Sequence, residues 1–285
     1  MPYHAARMEP PDPKRPLVSV VIPNHNYARF LPGCLGSIAA QRLGTRRIEV
    51  VFVDDASSDG SAELARELLS GMDLASGTVL ELPRQGRPGP VRNAGLMLAR
   101  GQALLTLDPD DELLPDFLPR CLEVLAAGAD VAFADYLLDE GDGLRTVRLR
   151  AYHKLLLANQ NTMPPTAVFS RRLWDRGARF RSATGYEDWD FWIQLALLRA
   201  RFVHVAEPLY LYRMHGSNYS LRARQDDARS KAQLVLDNAA FFPSWTLAWA
   251  KGVLHSAPGV DPLGRGIIPV LPEHAARRAA RCGCG

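Results

Sequence analysis

Leu104-Leu105-Thr106-Leu107-Asp108-Pro109-Asp110-Asp111-Glu112 decides how this 285-residue chain is to be read. Four apolar or β-compatible residues run straight into a cluster of carboxylates, with a proline among them. A short buried strand has this pattern, and it delivers its acids at the carboxyl end, where open α/β sheets bind ligands. Three aspartates within four positions repel one another, so a divalent or substrate cation is their natural neutraliser. Oxygen ligands of this kind suit Mg²⁺ or Mn²⁺ better than zinc. A second reading stays open at this point: Asp110 or Asp111 caps the helix that follows Pro115.

Working outward, the flanks repeat the same pattern. Leu17-Val18-Ser19-Val20-Val21-Ile22 is a buried strand that ends in Pro23-Asn24-His25-Asn26, a turn with Asn26 placed to start a helix over 28–41. Ile48-Glu49-Val50-Val51-Phe52-Val53 is a second strand; it ends in Asp54-Asp55, and a helix follows over 61–69. A weaker strand over 78–82, a helix opening near Pro90 and the acid-bearing strand over 103–107 come next. A helix over 116–126 and a strand over 130–135 complete the alternation. Strands and helices alternating at these lengths predict right-handed crossovers and a parallel sheet. Asn24, Asp54, Asp55, Asp108 and Asp110 then fall past the carboxyl ends of three strands and converge on one cleft.

Beyond residue 141 the pattern loosens. Residues 144–150 alternate as a half-exposed strand does, 162–169 reads as a loop feeding a strand, and 201–205 and 209–212 read as two short strands. Residues 184–198 form a helix with Glu187, Asp188 and Asp190 in its first turn, where the helix dipole favours acids. From 221 onward the chain is helical, and Phe241, Phe242, Trp245 and Trp249 share one face. Packing is the first reading of that stripe; membrane or acceptor contact is the second.

Composition bounds the partners. Hydrophobic residues make up 47% of the chain, enough for a sizeable core, and a net charge of +3 gives no case for nucleic acid. Cys34 and Cys121 read as core residues of a reducing compartment, and Cys282 and Cys284 lack zinc spacing. The first fifteen residues lack a leader's apolar core, and no apolar run reaches the ~18 residues of a membrane span. The expectation is a cytoplasmic protein, at most peripheral on the inner face of a membrane.

Six stretches taken together resemble the family 2 inverting glycosyltransferases of the GT-A fold. They are Val20–Asn26, Val53–Gly60, Gly89–Gly95, Leu107–Asp111, Glu187–Asp190 and Tyr212–His215, in the family's order. The resemblance covers roughly 17–220 and implies a mainly parallel, Rossmann-like α/β sheet flanked by helices. It divides the chain into a flexible arm (1–15), a GT-A domain (16–220) and a helical C-terminal extension with a loose tail (221–285). The GT-A domain has a nucleotide-binding half (16–112) and an acceptor-binding half (113–220).

Carried onto this sequence, the resemblance assigns Pro23, Asn24, Asn26, Asp54, Asp55, Arg92 and Asp108 to the nucleotide-sugar. One of Asp54 and Asp55 accepts the ring N–H of a uridine or thymidine base, and Arg92 faces the phosphates. Asp110 and His215 hold Mn²⁺ or Mg²⁺. Asp111 is a supporting or capping residue, and Ser57 and Asp59 are helix caps. Asp188 is the general base for the acceptor hydroxyl; Glu187, Trp189 and Asp190 lie on the acceptor side. The acceptor is a glycan, a lipid-linked glycan, a small molecule or a polypeptide.

Rival classes fit less well. A haloacid-dehalogenase-like phosphohydrolase carries its aspartates after the first strand, with Thr where Glu112 stands. A dinucleotide-dependent dehydrogenase or a nucleotidyltransferase needs glycines after the first strand, and Pro23–Asn26 supplies none. A non-catalytic binding module of the same fold needs neither the full set of acids nor Asp188.

Overall fold

The computed structural model describes residues 16–216 and 226–270. The expectations for the 1–15 arm and for Cys282 and Cys284 lie outside the described residues. The chain forms two compact units. The first draws on Met1–Ala151, Pro164–Arg179 and Ala200–His215, and the second on Tyr152–Met163, Phe180–Arg199 and Gly216–Gly285.

In chain order the elements begin with β1 (Val18–Asn24), α1 (Leu31–Ala39), β2 (Ile48–Asp55), α2 (Ser61–Ser70), β3 (Ser76–Leu82), α3 (Pro88–Leu98) and β4 (Ala103–Thr106). There follow β5 (Glu112–Leu113), α4 (Phe117–Ala126), β6 (Val131–Asp139), β7 (Leu144–Val147), α5 (Lys154–Asn159), β8 (Ala167–Ser170), α6 (Arg171–Asp175), α7 (Glu187–Leu197) and β9 (Phe202–Arg213). Helices Asp227–Asp237 and Ser244–Leu254 close the second unit.

All residues of β1, β2 and β4 are buried, as near-continuous apolar strands of a two-sided sheet must be. β1 pairs in parallel with β2 and β4, and β2 with β3. The core beneath gathers Val20, Ile22, Leu35, Phe52 and Leu105 with Phe117 and Leu122. Cys34 and Cys121 are buried free thiols within it, as expected. α3 lies close over this sheet, because a Cβ at Gly95 would come within 2.8 Å of Val53 Cγ2. That close approach sets the height of Arg92, one turn earlier on the same helix.

The sheet order is β3-β2-β1-β4-β8-β6-β9-β5, with β7 paired to β6. The simple alternation predicted a parallel sheet, in which β4 and the strand after α4, β6, run the same way. They do, but β8 sits between them, antiparallel to both. The sequence there offered a loop feeding a strand, and local pattern cannot reveal which neighbours such a strand takes. The two short strands expected over 201–212 are one strand, β9, parallel to β6. Its register shifts beside Asp135, which pairs with Pro208; a proline without an N–H interrupts the ladder, and a bulge absorbs the mismatch. The helix expected from residue 28 starts instead as a 3₁₀ turn, Ala28–Phe30, and becomes α-helical where Pro32 occupies the first turn.

Candidate active site

The parallel register places Asn24 beside Asp54 at the carboxyl ends of β1 and β2. Asn24 Nδ2 donates to Asp54 Oδ1 at 2.9 Å and to Ser57 Oγ at 3.1 Å. Asp54 also accepts from Ser57, at 2.8 Å from its N–H and 2.6 Å from its hydroxyl. Its buried carboxylate therefore closes the turn in which Ala56 takes a φ of 55°. Asn26, at φ 61°, does not start a helix; it joins this turn to its own. Its N–H donates to Ser57 Oγ at 2.9 Å, and its Oδ1 accepts from Ser58 N at 2.8 Å. Asp59 accepts from Ser61 N at 3.1 Å and from Ala28 N at 2.9 Å, so it fastens the starts of two helical segments. Pro23 is buried and pairs with Val53.

Asp55 has a different set of partners. Its buried carboxylate accepts from Arg84 Nη1 and from the backbone N–H groups of Gln85 and Gly86, the last at 3.0 Å. The loop before α3 thus rests on it, while His25 Nδ1 lies 2.8 Å from its carbonyl oxygen.

The acids past β4 sit at the same edge. Arg92 Nη2 donates to Asp108 Oδ1 at 2.6 Å, and His215 Nε2 lies 2.9 Å from Asp110 Oδ2. The helix-cap reading of Asp110 and Asp111 does not hold. α4 starts at Phe117 behind Asp116, and Asp111 N–H instead closes a turn onto the Asp108 carbonyl at 3.1 Å. Asp111 is fully enclosed; Oδ1 accepts from Arg213 N at 3.2 Å, and Oδ2 has no hydrogen-bond partner among the described residues. Burial, with Asp110 and Asp108 close by, holds its carboxyl well above the ordinary range. Burial, then the charge of Asp108, pushes Asp110 up to about 6 against the pull of His215.

Three residues that support this edge were given no site role from the sequence. Phe30 stacks on the His215 ring at a centroid distance of 4.9 Å, and Tyr27 approaches it at 5.8 Å. Arg213 reaches the Asp110 carbonyl at 3.1 Å and Glu112 Oε1 at 2.8 Å, tying the acidic loop to β9. Its spacing of two from His215 was the available signal, since such residues share a face of an extended chain. Nothing local marks Tyr27 or Phe30.

Among the described residues no group of three or more His, Cys, Asp or Glu is arranged to hold a metal ion. Asp110 and His215 nonetheless offer one carboxylate and one imidazole, a pair that suits Mn²⁺. A two-residue hold fits a cation completed by substrate phosphates and water.

In the second unit, α7 carries the other acids. Asp188 is half-buried; Oδ1 accepts from Trp189 N at 2.8 Å and Oδ2 from Asn161 Nδ2 at 2.9 Å. Glu187 is buried. Trp189 and Asp190, expected on the acceptor side, are fully enclosed and face the core of their own unit. The Trp189 indole donates to Leu157 O at 2.6 Å. Asp190 pairs with Arg181 and accepts from Asn238 Nδ2 at 2.6 Å and Gln194 Nε2 at 2.8 Å. Of the aromatic stripe, Phe241, Phe242 and Trp249 are buried and Trp245 is exposed, so packing accounts for three of its four members. No helix among the described residues is long and apolar enough to cross a membrane.

Comparison with known proteins bears on the fold and the family. The chain is 28% identical over 244 residues to an uncharacterized glycosyltransferase of Nostoc sp., spanning 78% of this chain and 73% of that protein. It is 35% identical over 159 residues to the succinoglycan biosynthesis protein ExoO of Rhizobium meliloti, spanning 55% of this chain but only 44% of ExoO. Among solved structures, residues 1–349 of S. aureus TarS in complex with UDP-GlcNAc superpose with a TM-score of 0.68 at 20% identity, over 85% of this chain and 71% of that one. The mannosyltransferase PcManGT from Pyrobaculum calidifontis, in complex with GDP-Man and Mn²⁺, superposes with a TM-score of 0.64 at 20% identity, over 95% and 76%. These likenesses establish the GT-A fold. The sequence profile of glycosyl transferase family 2 matches residues 19–184, which takes in β1 through the acidic loop after β4 and stops short of Asp188 and His215. The chain belongs to glycosyl transferase family 2.

Proposed function

We propose that this glycosyltransferase moves a sugar from a uridine or thymidine diphosphate sugar to an acceptor hydroxyl, with inversion at the anomeric carbon. The observation that carries the reading is Asp110, a buried carboxylate held 2.9 Å from His215 and pushed up to about 6 by burial and by the charge of Asp108. Asp110 and His215 would hold a divalent cation, Mn²⁺ or Mg²⁺. Bound there, it supplies Lewis-acid stabilisation for the negative charge that grows on the leaving nucleoside diphosphate.

The chain's own residues do the rest. Arg92, oriented by Asp108, faces the donor phosphates; Asp108 itself touches the ribose or the metal shell. Asp55 already accepts N–H groups from the backbone of the 84–86 loop, which is the chemistry needed for the ring N–H of a pyrimidine base. Asn24 Oδ1 is buried without a partner among the described residues and is available as a further acceptor for the nucleoside. Asp54 and Asn26 shape the pocket through the turns they close. Asp188 takes the acceptor hydroxyl proton as the oxygen bonds to the anomeric carbon and the bond to the diphosphate oxygen breaks. Single in-line displacement leaves the product anomer inverted and needs no covalent sugar–enzyme intermediate. ExoO's name favours a glycan or lipid-linked glycan as acceptor over a small molecule or polypeptide.

A thermal-shift screen of UDP-, dTDP- and GDP-sugars with and without Mn²⁺ tests this, because selective binding raises apparent stability. The expected result is the largest shift with a uridine or thymidine donor and Mn²⁺, followed by slow release of nucleoside diphosphate from that donor. A guanosine preference would overturn the base assignment. Release of inorganic phosphate would support the phosphohydrolase reading, and binding without any release would support the binding module.

A further inference from the structure

Asn161 belongs to none of the motifs quoted above. It lies in the segment after α5, where Nδ2 donates to Asp188 Oδ2 at 2.9 Å and Oδ1 accepts from Met163 N at 3.3 Å. The second bond settles which end of the amide is which. The oxygen must face the backbone donor, so the nitrogen faces the carboxylate. Met163 is itself buried, which anchors this contact in the core of the unit. Four residues before Asn161, the Leu157 carbonyl accepts the Trp189 indole N–H at 2.6 Å and registers α5 against α7.

We infer that Asn161 is a positioning residue for Asp188. It fixes the plane of the carboxylate from one side while the first-turn N–H of Trp189, at 2.8 Å from Oδ1, fixes it from the other. A carboxylate on a helix's first turn otherwise rotates about two side-chain torsions, and a base out of reach of its proton does not assist. The amide suits this task because it neither gains nor loses a proton near neutral pH. The clamp is therefore the same before and after the proton moves. This inference rests on the reading of Asp188 as general base.

The experiment uses the full chain and the donor selected by the thermal-shift screen, with water as acceptor, and follows release of nucleoside diphosphate. Asn161→Asp keeps the shape but replaces the donor by a second carboxylate. Asn161→Ala removes the contact, and Asn161→Gln keeps an amide on a longer arm. The expected result is a fall in kcat of about 10- to 100-fold for the Asp and Ala variants, the range seen when a residue orienting a functional group is removed. Donor KM and the donor-induced thermal shift stay at wild-type values, and Asn161→Gln recovers part of the loss. Asp188→Asn is run beside them. If Asp188→Asn abolishes release while Asn161→Ala retains wild-type kcat, the clamp is overturned and the general base stands. If Asp188→Asn retains release, both fall. A loss of melting temperature in Asn161→Ala without a change in kcat also overturns the inference, as does an equal loss of kcat and donor affinity.

Discussion

Two runs of acids in this molecule look alike in sequence and differ in how their charge is met. Asp108, Asp110 and Asp111 follow β4 in the first unit; Glu187, Asp188 and Asp190 open α7 in the second. In each run one aspartate is fully enclosed. Asp190 has the Arg181 guanidinium together with the amides of Asn238 and Gln194, and it sits in a helix's first turn, where aligned peptide dipoles favour an anion. Asp111 has the backbone N–H of Arg213 and an orphan oxygen. Asp190 is compensated from within the protein, whereas one carboxylate oxygen of Asp111 has no hydrogen-bond partner among the described residues. A buried acid without its countercharge destabilises the fold, and such sites persist where a ligand supplies the missing charge. That contrast points to the loop as the cation-seeking edge and to α7 as a rigid support for one half-exposed carboxylate, Asp188.

The contrast can be broken or sharpened at four places. The largest effect is expected at Asp188. Asp188→Asn should lower turnover by on the order of 10²–10⁴ while leaving the donor-induced thermal shift intact, a split read by steady-state kinetics beside melting curves. Unchanged turnover would make α7 a purely structural helix. Next, Arg181→Met strands the Asp190 charge and should cost about 3 kcal/mol in urea unfolding, with much of the loss recovered by adding Asp190→Asn. An unaffected midpoint would mean that Asp190 is not compensated as described.

The third test is pH. The folded value of Asp110, about 6, lies above the ordinary carboxylate value of roughly 4. Its contribution to stability is therefore fully present below about pH 4 and is lost as pH rises through 6. The metal-free protein should gain up to about 2–3 kcal/mol from this group on acidification, while Mn²⁺-dependent donor binding weakens below pH 6 as the ligand protonates. Asp110→Asn should abolish the Mn²⁺-dependent trend and reduce the gain on acidification without removing it, because Asp111 is raised in the same direction; melting temperature and donor titration across pH read both. The smallest effect is expected at Phe30. Phe30→Leu removes the stack that steadies His215 and should weaken Mn²⁺ binding by about 3- to 10-fold, in line with an aromatic contact of about 0.5–1.5 kcal/mol. Calorimetry checks it, with the melting temperature as control.

Much of the architecture was legible before any coordinates. Largely apolar runs such as Val18–Ile22 and Ile48–Val53, each interrupted by a single polar residue, have few ways to fold other than as buried parallel strands, and their acids then had to share an edge. The pairing of β8 between β4 and β6 was not legible, because strand neighbours are chosen by long-range contacts that leave no local periodicity. Nor was the fate of each acid. Asp54 and Asp55 are identical neighbours in sequence, yet one closes a turn through Ser57 while the other receives the 84–86 loop.

The sequence alone determined which chemical groups gather at the strand ends, since hydrophobic period and turn residues dictate where each strand stops and its polar residues begin. Only the tertiary structure decided what each group is worth there. The polar partners come from residues distant in the chain: His215 for Asp110, Arg181 and Asn238 for Asp190, Asn161 for Asp188. An isolated carboxylate looks the same in all these places. Its burial and its partners are what set Asp110, Asp190 and Asp188 apart.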